Sequence, residues 1–294
     1  MGELALKIRE QLRSLSHGQL ALLASIVETF KSPTESFRNL TSNVASEDFL
    51  VAFGDILKLH HTLSDDYLDK HRFEASVERV CRALEISASR PTRNNPGHDI
   101  TVSGVPWSLK TQGDANIKVD FLHISKFMEL GKGKWESEED LNGLRDQFLT
   151  HMTSYKRIFQ LRYFRSPISD NGLVHRYELV EIPIRLLNLA KNGVIHMVMN
   201  SKQVPKPGYC KVLDKQQNML FRLYFDGGTE RKLQIKDLKN HRALSMLNGD
   251  SNSIANDASQ SQRIQDSIRF QQTAYRIDHK LRQRYRNRKK DRVR

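Results

Sequence analysis

The sequence predicts an α/β protein, a mixed β-sheet flanked by helices with a helical N-terminal part and a basic C-terminal tail. Three observations carry this. Residues 98–112 read as a β-hairpin, because Ser103-Gly104 is a turn signal between Val102 and Val105, and Trp107 and Leu109 alternate with Ser108 and Lys110. Apolar residues recur at helical spacing through the first 85 residues. After the hairpin the order helix, helix, strand, strand, short helix suits a mixed sheet rather than an all-helical or all-β chain.

The N-terminal region, 1–64, reads as helices. Ser32-Pro33-Thr34-Glu35 matches a helix start, with Ser as N-cap, Pro at the first helical position and Glu closing a capping box. Ser46-Glu47-Asp48 opens a helix with Phe49, Leu50, Phe53 and Leu57 on one face, and Ser64-Asp65-Asp66 opens another that carries Glu74 and Glu78. Those two glutamates read equally as a solvated helix face.

The core is expected over 65–246. Ile86 to Pro96 is a loop by composition, with Arg90 and Arg93. The hairpin follows, with Asp99 opening its first strand and Lys110 on its second. Asp120 to Leu130 is predicted helical, stopping at Gly131, and a second helix runs from Glu136 through Phe148 and Met152. Gly131-Lys-Gly-Lys134 lacks the spacing of a phosphate loop and is rejected as a nucleotide site. Strands are predicted at Arg157–Phe164 and Arg176–Ile182, a short helix at Pro183–Lys191, and further strands at Val194–Met199, Cys210–Leu213, Met219–Phe225 and Lys232–Ile235, with Asp226-Gly-Gly as a hairpin turn. The basic residues of this last region suit phosphate contact or an ordinary solvated sheet face.

Residues 247–262 are Asn-, Ser- and Gly-rich and read as a linker. Residues 263–294 hold 12 Lys/Arg against 3 Asp/Glu, and so supply +9 of the chain's net +13. Ile264, Ile268, Tyr275, Leu281 and Tyr285 suggest a thin helical stripe, while Arg282, Arg284, Arg286, Arg288, Lys289 and Lys290 suit a phosphate backbone. A pI near 9.7 points to a polyanionic partner, with nucleic acid first. No apolar run approaches a membrane span and no signal peptide is evident, so a cytoplasmic protein is expected. Cys81 and Cys210 have no metal or disulfide spacing and are expected as buried thiols.

An acid at the start of a hairpin and a lysine on its second strand form a pattern with chemistry. Gly97-His98-Asp99 followed by Ser108-Leu109-Lys110 resembles the PD-(D/E)xK nuclease superfamily, and the stretch through Ile124–Gly131 is similar to segments of type II restriction endonucleases. Two departures stand out. His98 occupies the place of the motif's proline, and Ser108 stands where a second carboxylate is expected. The resemblance implies a restriction-endonuclease-like core and site-specific hydrolysis of double-stranded DNA with Mg²⁺, leaving 5′-phosphate ends. It makes Asp99 and the Leu109 carbonyl metal ligands and Lys110 the residue that places the nucleophile. The missing acid is expected at Glu129 on the predicted 120–130 helix, or else at Glu78. Arg93 and Gln112 join the tail's basic residues as DNA contacts. A homodimer, and a companion DNA methyltransferase of the same specificity, follow from the same resemblance. The alternatives are a nucleic-acid-binding protein without catalysis and a repair or nicking nuclease of the same fold.

Overall fold

The computed structural model describes residues 2–37, 42–91, 97–165, 174–240 and 268–273. Two helices lead, α1 (Gly2–Leu12) and α2 (His17–Lys31), followed by β1 (Thr34–Phe37), α3 (Glu47–Leu63), α4 (Lys70–Ala83), β2 (Ala88–Ser89), β3 (Ile100–Val102), β4 (Val105–Gln112), β5 (Phe121–Glu129) and α5 (Glu138–His151). Next come β6 (Arg157–Arg165), β7 (Val174–Glu181), α6 (Ile184–Leu187), β8 (Val194–Met197), β9 (Gly208–Leu213), β10 (Met219–Phe225), β11 (Lys232–Lys239) and β12 (Ile268–Thr273). The predicted α/β class holds, with two sheets in place of one. The first has the order β1-β12-β7-β6-β4-β3-β2 and is mixed, because β4 and β6 run parallel. The second, β5-β11-β10-β9-β8, is antiparallel throughout.

Alternation along the strands of the first sheet divides its two faces. Trp107, Leu109, Phe159 and Leu161 join Phe53 and Phe73 of α3 and α4 in one core. Ile158, Val180 and Ile182 turn to the other side and share a second core with α5 and the five-stranded sheet. The buried pair Arg162–Glu178 closes this side: the guanidinium also donates to the carbonyls of Lys118, Val119 and Phe121, which fixes the approach to β5.

Four local expectations are corrected. Ser32 is not an N-cap: it ends α2, and Thr34–Phe37 is a strand paired with β12. Proline disfavours helix at the residue before it, and distant pairing decides the rest. The predicted helix at 120–130 is β5. Ile235 pairs with Ile124 and Leu233 with Met128, so two steps on β11 span four on β5. This bulge exposes Ser125 and Lys126 together and gives Ile124, Phe127 and Met128 a helix-like spacing in an extended strand. The helix expected from Ser64 begins later, at α4, capped by Asp69, while Ser64 closes α3. In the tail, Ile268–Thr273 is extended and pairs with β7 and β1, not helical. Ile264, Tyr275, Leu281 and Tyr285 lie outside the described residues, as does the turn at 169–172. Cys81 and Cys210 are buried free thiols. No helix among the described residues is long and apolar enough to cross a membrane.

Candidate active site

The hairpin forms where the sequence places it. Ser103 and Gly104 both take positive φ, 48° and 78°, to make the tight turn between β3 and β4, and the ladder sets Ile100 opposite Trp107. Asp99, just ahead of β3, is thereby folded against β4. Its Oδ2 accepts from the Leu109 N–H at 2.6 Å and from the Ser108 hydroxyl at 3.1 Å.

Lys110 follows on the same strand and is buried. Its Nζ donates to the Phe127 carbonyl on β5 at 3.1 Å and lies 5.2 Å from that ring's centroid. Burial lowers the ammonium's pKa to about 8, although Asp99 pulls the other way. Burial would likewise raise the Asp99 carboxyl, yet Lys110 and Lys70, with hydrogen bonds from Lys70 and the Leu109 N–H, hold it below its ordinary value.

The first turn of α4 completes the cluster. Lys70 Nζ lies 2.8 Å from Asp99 Oδ1 and 3.5 Å from Glu74 Oε1, so two carboxylates converge on one cation. Burial raises the Glu74 carboxyl; Lys70 opposes this and Asp99 adds to it. Lys70, His98, Asp99, Ser108, Lys110 and Glu129 line one cavity of about 710 Å³, walled also by Lys126 of β5 and by Gln147 and His151 of α5. The site therefore sits in the cleft between the two sheets.

The sequence-predicted residues divide as follows. Asp99, Lys110 and Leu109 meet at the hairpin. Glu129 lines the same cavity from the exposed end of β5, 70% exposed and paired with Lys126 at 2.9 Å. Glu78 is bound by Arg90 at 2.7 Å and Arg82 at 3.5 Å, and neither it nor Glu74 is among the residues lining the cavity, which Glu74 reaches only through Lys70. Gln112 is buried at the end of β4, its amide 3.5 Å from Asp114 Oδ2. Arg93, Arg282, Arg284, Arg286, Arg288, Lys289 and Lys290 lie outside the described residues. Sequence reasoning did not place Lys70 and Glu74 beside Asp99. Their i, i+4 spacing on a helix ahead of the hairpin was the available signal.

A model of the SmaI family, described as type II site-specific deoxyribonuclease, matches residues 8–251. The chain belongs to that family. It is 45% identical over 205 residues to the type II restriction enzyme SmaI of Serratia marcescens, covering 69% of this chain and 80% of that enzyme. No solved structure matches. The type II restriction endonuclease expected from the hairpin is thus the function of this chain, a hydrolase that acts on DNA.

Proposed function

We propose that this restriction endonuclease cuts both strands of duplex DNA at the cavity between the sheets, dependent on Mg²⁺ and leaving 5′-phosphate ends, with Asp99, Glu74 and Lys110 as its working side chains. The carrying observation is the convergence of Asp99 and Glu74 on a single position filled by the Lys70 ammonium. Two carboxylates sharing one cation, Asp99 in the cleft wall and Glu74 behind Lys70, are the hard oxygen donors that Mg²⁺ takes, so the donor set fits the ion. The Leu109 carbonyl is the third donor by the family resemblance.

When bound, Mg²⁺ supplies charge for the scissile phosphate and lowers the pKa of water. The protein's part is derived from its own groups. Lys110, held by the Phe127 carbonyl beside Asp99, presents its ammonium to the attacking water and to the charge that develops on phosphorus-bound oxygen. Ser108 and the Leu109 N–H fix the Asp99 carboxylate in one orientation, so it enters the reaction without reorganising. Glu74 takes the role expected of Glu129 or Glu78, because Glu78 is occupied by arginines and Glu129 is paired at the solvent edge. Lys126 and the basic tail residues hold the DNA backbone.

The enzyme acts as a homodimer with one site per strand, in the cytoplasm, alongside a methyltransferase that protects the same sequence. The test is cleavage of unmethylated DNA with Mg²⁺ or EDTA. Discrete Mg²⁺-dependent fragments are expected, lost in Asp99→Ala, Lys110→Ala and Glu74→Gln with DNA retardation retained. Removing a transition-state donor such as Lys110 costs about 10²–10³ in rate. Cleavage that survives Glu74→Gln and fails in Glu129→Gln would return the missing acid to β5.

A further inference from the structure

His71, His98 and His151 all line the cavity between the sheets, and they differ in what holds them. His71 is 94% exposed and lies 4.0 Å from Glu74. The Nε2 of His98 is hydrogen-bonded to the Thr101 hydroxyl at 2.8 Å. His151 is half-buried at the end of α5, and neither nitrogen of its ring is engaged by a hydrogen bond among the described residues. The core fixes it there. Phe148 and Met152 are buried in the core that α5 shares with the five-stranded sheet, and the residues just before them, Gln147 and His151, stand one turn apart along the cavity wall. The His151 ring meets Phe127 edge-on at 6.2 Å and Tyr155 at 5.6 Å. Since the Phe127 carbonyl also accepts from Lys110 Nζ, one residue of β5 sets the place of both groups.

The C-terminal turn of a helix favours a charged histidine. Here burial, and then the Lys110 ammonium, hold the imidazole below its ordinary pKa against the pull of Asp99, so it is neutral above pH 6.5. Asp99 and Lys110 face it from the hairpin, Lys126 and Glu129 of β5 share the cavity, and Tyr155, packed on its ring, keeps its proton because burial raises its pKa. The other side chains of the site have no free lone pair to offer. Asp99 accepts from the Leu109 N–H, the Ser108 hydroxyl and Lys70, and Lys110 is an ammonium below about pH 8.

We infer that His151 is a catalytic residue of the phosphodiester cleavage, the acceptor of the proton that the attacking water gives up. The inference rests on the proposed use of this cavity and adds the base that its other side chains leave unassigned. As the water oxygen bonds to phosphorus, its proton passes to the imidazole. The bond from phosphorus to the 3′ oxygen breaks, its electron pair stays on that oxygen, and solvent water protonates it. His151 then returns its proton to solvent. A base is most effective when its pKa lies near the working pH, which suits an imidazole that is neutral but still basic.

Single-turnover cleavage of plasmid DNA with Mg²⁺ tests this, with wild type beside His151→Phe, His151→Ala and Asp99→Ala. Phenylalanine keeps a ring against Phe127 and Tyr155 and removes the nitrogens. Both His151 variants should lose about 10²–10⁴-fold in rate, with DNA retardation and urea unfolding unchanged. Added imidazole should restore His151→Ala, more strongly the more basic the substituted imidazole, and leave His151→Phe, whose space is filled, inactive. A second measurement needs neither metal nor DNA. The nuclear magnetic resonance signal of the His151 ring, assigned by its loss in His151→Phe, should titrate below pH 6.5 in wild type and at higher pH in Lys110→Met. If His151→Phe cuts at the wild-type rate, if rescue ignores basicity, or if the titration ignores Lys110, the assignment is overturned, while an inactive Asp99→Ala keeps the cavity as the site. An active Asp99→Ala overturns both.

Discussion

Lys70→Met isolates the question of what the two converging carboxylates are for. If Asp99 and Glu74 form a divalent-cation site, Lys70 is its competitor and must leave before the ion binds. At 2.8 Å from Asp99 Oδ1 the pair is worth about 1.5 kcal/mol even at the dielectric of water. Lys70 is 43% exposed, so the water-like limit is the appropriate one. Since 1.4 kcal/mol is a factor of ten, the methionine, which keeps the length and loses the charge, should tighten Ca²⁺ binding about tenfold. Calorimetric titration of the DNA-free protein with Ca²⁺ reads this without any catalytic step. Asp99→Asn should abolish the same heat. Binding unchanged or weakened in Lys70→Met, with Asp99→Asn still null, would refute the competition. Binding that survives Asp99→Asn would refute the site itself.

Two further outcomes concern stability. Replacing Glu178 with Leu leaves the Arg162 guanidinium unpaired in the interior and should cost about 3–5 kcal/mol in urea unfolding, whereas the double variant Arg162→Met, Glu178→Leu should recover much of it; a double variant as weak as the single one would contradict this. His61, buried between Tyr177 and a stacked His175 ring 3.5 Å away, has its pKa lowered to about 3, mainly by burial. The unfolded chain then binds the extra proton between pH 3 and 6.5, so this stabilisation is complete above 6.5 and lost on acidification, on the order of 5 kcal/mol. The slope of unfolding free energy against pH in that window should flatten in His61→Asn, and an unchanged slope would disprove the assignment.

The legible parts of this chain were those written by local chemistry. The hairpin was readable because Ser103-Gly104 and strict alternation sit next to each other in sequence, and with it came Asp99 and Lys110. Strand β10 was readable at both ends for the same reason. What was misread depended on partners far away in the chain. Thr34–Phe37 is extended because β12, more than 200 residues later, pairs with it. The β5 bulge mimics a helical period, and only the register with β11 distinguishes the two. The choice among glutamates is not legible in the sequence for a subtler reason. Glu74 and Glu78 each follow a buried residue of α4, Phe73 and Val77, so they share a face and differ only by one turn, about 6 Å along the axis. The helical pattern carries the face; the height at which α4 meets the hairpin comes from tertiary packing.

The proposed role of Glu74 also gives Ser108 a reason. In the resembled pattern an acid stands two residues before the lysine, and here it would bring a second carboxylate to Asp99 Oδ2, which accepts from the Ser108 hydroxyl at 3.1 Å. Two carboxylates in such contact repel, and one of them would be driven to protonate. Serine instead donates a hydrogen bond and supports the ionised Asp99. Glu74 lies across Lys70 from Asp99's other oxygen, so the cation offsets the repulsion that Asp99 exerts on it. Under the proposed assignment of Glu74, the serine and the α4 glutamate are two halves of one arrangement: the acid moves from the strand to the helix, and the strand position becomes a donor that orients Asp99.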